Sequence, residues 1–106
     1  MYKICFYVPI ADVDRVKQAM FDAGAGRTGP NDSYDHCAWQ TRGQGQFRPL
    51  PGSQPAIGQQ DQEEFVDEYK VEMICAEECL PKSIGALKKT HPYEQAAYQV
   101  WPLHDI

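Results

Sequence analysis

Apolar side chains recur along this chain in two rhythms, one of period two and one near 3.6, and the switches between them mark out its elements. Tyr2 to Val8 is rich in aromatic and β-branched residues and stops at Pro9, which predicts a strand. Ile4, Phe6 and Val8 fall on one face of it and Cys5 and Tyr7 on the other, the pattern of a strand covered on both sides. Asp12 stands at the N-cap of a helix whose apolar positions are Val13, Val16, Ala19, Met20 and Ala23, and Gly24 supplies the left-handed residue that ends it.

The alternation returns from Phe65 to Ala76, with Tyr69, Val71, Met73 and Cys75 on one face and Glu68, Lys70 and Glu72 on the other. Pro81 suits the first turn of a second helix that turns Ile84, Ala86 and Leu87 inward and ends in Lys88-Lys89-Thr90, before His91-Pro92 stops it. A last strand runs from Gln95 to Leu103, where Pro102 confines it to an edge or an end. Between the first helix and the long strand, Arg27 to Gln62 is rich in glycine and proline. Within it, His36 to Thr41 and Gln46 to Arg48 read as two brief strands around a Gly43-Gln44-Gly45 hairpin, followed by an irregular stretch from Pro49 to Gly58.

The order β-α-β-β-α-β predicts an α+β fold: a ferredoxin-like sandwich, one antiparallel sheet with both helices on one face, and a long irregular glycine- and proline-rich insertion between strands two and three. Such a sheet leaves a face bare, and here that face carries Cys5, Tyr7 and Trp101. An aromatic patch of this kind calls for burial in a homo-oligomer, a trimer or a dimer, or under another protein.

At 106 residues the chain has room for one domain, spanning 1–106, and 42% apolar with 24% charged residues is an ordinary globular composition. A net charge of −5 argues against a nucleic-acid partner, because counterion release needs clustered cations. No apolar run is long enough for a membrane span and the N-terminus has no signal-peptide pattern, so a cytoplasmic location is expected. The four cysteines, Cys5, Cys37, Cys75 and Cys79, include no C-x-x-C pair and read as reduced thiols.

Several words of the sequence are more specific: Ala23-Gly24-Ala25-Gly26, Tyr34-Asp35-His36-Cys37, Gly43-x-Gly45-x-Phe47-Arg48-Pro49-Leu50-x-Gly52, Pro55-x-Ile57-Gly58 and His91-Pro92-Tyr93-Glu94. Together, over essentially the whole chain, they resemble the YqfO-type domain, related in shape to CutA and PII-like proteins, that is inserted in bacterial members of the NGG-interacting-factor-like family of dinuclear-metal proteins. The resemblance implies a ferredoxin-like fold, a cytosolic location and association through sheet faces and edges. The flanking domain that holds two metals in the fused relatives is not in this sequence, so the family's metal-dependent hydrolase label is not carried over with the shape.

Three segments carry candidate chemistry. The His91-Pro92-Tyr93-Glu94 corner puts an imidazole and a carboxylate close together, suited to a metal or a small ligand; the alternative is that His91 and Glu94 bond backbone groups. His36 and Cys37, beside Tyr34, are ligand types suited to a divalent metal if His91 or Glu94 folds nearby, giving His36, His91 and Glu94 as the candidate metal set. As neighbours in a strand, His36 and Cys37 point to opposite faces and do not readily share one site. Arg48, in the glycine-rich loop, is the anion partner for a ligand that the loop closes over. The expected function is recognition of a small molecule, a metal or a protein, without a catalytic set; the alternatives are a metal-dependent hydrolase by family association and a purely structural oligomerisation role.

Overall fold

A computed structural model describes residues 1–106. Its strands are β1 (Tyr2–Pro9), β2 (Trp39–Phe47), β3 (Glu64–Cys75) and β4 (Tyr98–Pro102), and its helices are α1 (Val13–Asp22) and α2 (Leu80–Thr90). The four strands make one antiparallel sheet in the order β2-β3-β1-β4, the ferredoxin-like arrangement. No helix is long and apolar enough to cross a membrane.

Burial follows the period-two pattern. Ile4, Phe6 and Val8 of β1 and Val71, Met73 and Cys75 of β3 pack against Val13, Val16 and Met20 of α1 and Leu87 of α2, with Tyr98 and Val100 of β4 at the margin. Each fully buried side chain of this kind contributes roughly 1.5–3 kcal/mol. The helices are tied to each other where α1 begins and α2 ends: Arg15 donates to the Thr90 carbonyl at 2.9 Å and pairs with Asp12 at 3.0 Å. Asp12 thus occupies the N-cap position, but its carboxylate faces Arg15 and caps no backbone N–H. Gly24, at φ +105°, ends α1 as expected, and a Cβ there would lie 2.7 Å from the Cys79 sulfur.

The glycine-rich middle departs from the sequence reading. Gly43 and Gly45 are not a hairpin tip but interior positions of the nine-residue strand β2, paired with Glu68 and Val66 of β3. A turn signal yields here to a residue-by-residue ladder with a long partner strand. β2 also begins later than expected, at Trp39, because His36 takes a left-handed backbone, φ +54°, which no strand accepts. The last strand shortens to Tyr98–Pro102, since residues 91–97 are spent on the turn that follows α2.

The β2–β3 hairpin outruns the rest of the sheet. β1 stops opposite Glu68, while β2 and β3 continue to the Phe47–Glu64 pair. The chain is accordingly elongated, 49 × 25 × 24 Å, with a radius of gyration of 14.9 Å against about 13 Å for a compact domain of this length. Residues 48–63 join the strands by turns and bends and fold back along this arm.

Truncating the buried side chain where α2 meets the sheet, Leu87→Ala, is expected to cost about 2–5 kcal/mol in urea unfolding, whereas Phe65→Ser on the 53%-exposed arm position should stay within about 0.5 kcal/mol.

Candidate functional site

The side of the sheet away from the helices holds a cavity of about 670 Å³. Its floor is β2 from Thr41 to Phe47 with Glu68 and Lys70 of β3 and Tyr7 of β1; its roof is the 48–63 segment, through Pro49, Ser53, Pro55, Ala56 and Ile57; one wall is the turn after α2, through Tyr93 and Glu94. The floor is open because β2 puts glycine on this face: nothing lies within 4 Å of a Cβ built on Gly43. A Cβ on Gly45 would instead run into the Glu68 carboxylate, which crosses above it.

The wall is rigid for a reason rooted in His91, which is 6% exposed. Its Nε2 donates to the Tyr7 carbonyl at 2.7 Å, and its Nδ1 accepts the Tyr93 N–H at 3.2 Å. Both ring nitrogens are therefore engaged, and the turn is locked to β1. The Tyr93 ring packs against His91 at 5.0 Å and Phe47 at 6.0 Å between centroids, and its hydroxyl donates to Glu68 Oε2 at 3.0 Å. Burial first, and then the negative charge of Glu68, raise the Tyr93 pKa well above its ordinary value. Glu94 holds the roof: its Oε2 accepts the Gln54 N–H at 2.7 Å.

The sequence candidates separate into two groups. Tyr93 and Glu94 line the cavity and His91 braces it from behind. Arg48, between the lining residues Phe47 and Pro49, is exposed and does not face inward. Tyr34, His36 and Cys37 belong to the 26–37 excursion, which is pinned by Gly26 N–H to the Ile74 carbonyl and Cys37 N–H to the Gly26 carbonyl. Ile74 pairs with Lys3, four residues along β1 from the Tyr7 that holds His91, or about 13 Å at strand rise. His36 stacks on Phe21 at 4.6 Å, and Tyr34 is 62% exposed. The proposed metal set of His36, His91 and Glu94 is thus not assembled, and the chain gathers no group of three or more His, Cys, Asp or Glu side chains fit for a metal. The residues present do not fit a dinuclear centre.

Sequence reasoning missed Glu68, Lys70, Tyr7 and the two strand glycines as site residues. The alternation of β3 already set Glu68 and Lys70 on the non-core face; only the 48–63 segment shows that this face lines a cavity, with Lys70 still exposed.

The Tyr93 shift carries a sign. A phenol whose folded-state pKa is raised contributes stability below about pH 10, and that contribution is lost as the pH climbs further, because the unfolded chain ionises first. Urea midpoints measured at about pH 9 and pH 11 should fall with pH, and less steeply in Tyr93→Phe.

No family model matches the chain. Similar proteins are found directly: the GTP cyclohydrolase 1 type 2 homolog of Halalkalibacterium halodurans is 41% identical over 103 residues, which is 97% of this chain and 27% of that protein. Those of Bacillus subtilis and Mycobacterium tuberculosis are 38% and 37% identical, each over 95% of this chain and 26% of theirs. Among solved structures, a Bacillus cereus protein related to NIF3 superposes with a TM-score of 0.81 at 36% identity, over 98% of this chain and 26% of that one. CutA1 from Pyrococcus horikoshii, at a TM-score of 0.69 and 13% identity over 100% of this chain and 86% of its own, shares the fold. So does B. subtilis GlnK, at 0.56 and 14% over 94% and 82%. The chain spans about a quarter of the length of the curated relatives it matches. With the resemblance in its motifs, the fold and these relatives in agreement, the chain belongs to the NGG-interacting-factor-like family as its YqfO-type, CutA/PII-shaped domain.

Proposed function

We propose that this chain is a cytoplasmic binding module of regulatory type, which takes a small molecule into the cavity on the open sheet face and assembles with copies of itself. The observation that carries the reading is the cavity: about 670 Å³, within the range of small-molecule sites, roofed by a segment latched through Glu94 and floored by a strand stripped of side chains at Gly43. Conformational change in the 48–63 segment on filling is the natural output, because a main-chain hydrogen bond to one carboxylate ties its middle to the wall.

Association is supported by what remains bare. Trp39 is 66% and Trp101 40% exposed, β2 and β4 each offer an unpaired edge, and the β2–β3 arm projects beyond the end of β1. Four unpaired thiols fit a reducing compartment. No three His, Cys, Asp or Glu side chains gather in this chain for a metal, so the reading rests on the cavity and not on a metal centre.

Gly43→Leu tests the site without straining the backbone, since its Cβ meets nothing and the side chain enters the cavity. Native mass spectrometry of protein purified without chelator should show a homo-oligomer carrying extra mass, and Gly43→Leu should keep the oligomer while losing that mass. Retention of the mass in the variant sinks the assignment of the site.

A further inference from the structure

The polar groups inside the cavity are not evenly matched. Glu68 has one oxygen tied to the Tyr93 hydroxyl, while its other oxygen lies above Gly45 with no hydrogen bond and no ion pair. The second carboxylate, Glu94, is occupied by the Gln54 N–H. Of the cations, Arg42 faces Asp67 at 3.5 Å and Arg48 is outside. That leaves Lys70, two residues along β3 from Glu68, about 7 Å away at strand rise and without an ion pair. The two open charges of the floor are thus one acceptor and one donor on the same strand face.

Beside uncharged polar groups such as Thr41, Ser53 and Gln95, much of the surface around them is apolar and suited to flat groups. Tyr7, Phe47 and Tyr93 supply ring faces, Pro55 and Ile57 cover from above, and the bare backbone at Gly43 lets a planar group lie close to the strand. A carboxylate with a free oxygen in such surroundings discriminates strongly, because a ligand without a donor leaves it desolvated and unpaired. A phosphate or a polycarboxylate meets Lys70, with Arg42 already paired to Asp67, and is repelled by Glu68.

Resting on the reading of the cavity as a binding site, we infer that its ligand is a planar nitrogen heterocycle carrying an amino or amidine edge, with that edge on the free oxygen of Glu68 and a ring acceptor toward Lys70. The selectivity is then for donor-bearing rings and against anions, the reverse of what Arg48 suggested in the sequence.

A matched series separates the classes: 2-aminoquinoline, quinoline and quinoline-2-carboxylate share a ring and differ in the edge. Titrated into the full ¹⁵N-labelled chain, 2-aminoquinoline should shift the amides of Gly43 to Phe47 and bind more tightly than quinoline. Glu68→Gln should weaken it by about tenfold, the worth of one charge-assisted bond, and leave quinoline unchanged. Gly43→Leu should abolish the shifts. Equal or tighter binding of the carboxylate, an unaltered affinity in Glu68→Gln, or no shift with any of the three overturns the ligand class. The cavity reading stands or falls separately, on whether Gly43→Leu loses the mass seen by native mass spectrometry.

Discussion

Everything in this molecule hangs on the burial of one face of the central strand pair. β1 lies between β3 and β4, and its Ile4, Phe6 and Val8, with Val71 and Met73 opposite, provide the surface on which both helices settle. Because side chains in a strand alternate strictly, committing that face to the core commits Cys5, Tyr7, Glu68, Lys70 and Glu72 to the other. The face that carries the cavity is thus defined by exclusion, and a register slip of one residue would destroy core and cavity together.

A second constraint converts an open face into a cavity. The chain leaving α2 must return to pair with β1 as β4, and His91 fixes that return by bonding the Tyr7 carbonyl with one nitrogen and the Tyr93 amide with the other. The turn then stands beside the sheet as a wall, which presents Tyr93 to Glu68 and Glu94 to the 48–63 segment. Of the two readings of His91 the structure shows the backbone-bonding one: both ring nitrogens are engaged, and the histidine serves by positioning its neighbours. The curated relatives in the NGG-interacting-factor-like family are about four times as long as this chain, while the CutA1 and GlnK likenesses concern shape alone.

The excursion of residues 26–37 shows how local words mislead when taken as a site. Tyr34, His36 and Cys37 are close in sequence and bear ligand chemistry, yet the loop is held at the other end of β1 by Gly26 and Cys37, and His36 spends its ring on Phe21. Chemistry-bearing residues from distant segments meet only where the sheet register brings them, and the register brings His91, Tyr93 and Glu94 to Tyr7 and Glu68, not to His36.

Read alone, the chain already specifies the elements whose periodicity is long and unbroken: β1, α1, β3, α2, their order, and the helices' shared face. Those depend on local spacing and on which side chains avoid water, and both are written in the chain. It also marked the His91 to Glu94 corner, through the proline that fixes it. Long-range pairing settled the course of Gly43 and Gly45, where a long partner strand overrode a turn signal, and the placing of half-buried Glu68 and exposed Lys70 along a cavity. Both depend on groups far apart in sequence, the roof at 49–57 and the wall at 93–97, and the free energy that brings them together is that of packing and pairing between segments, which no local pattern encodes.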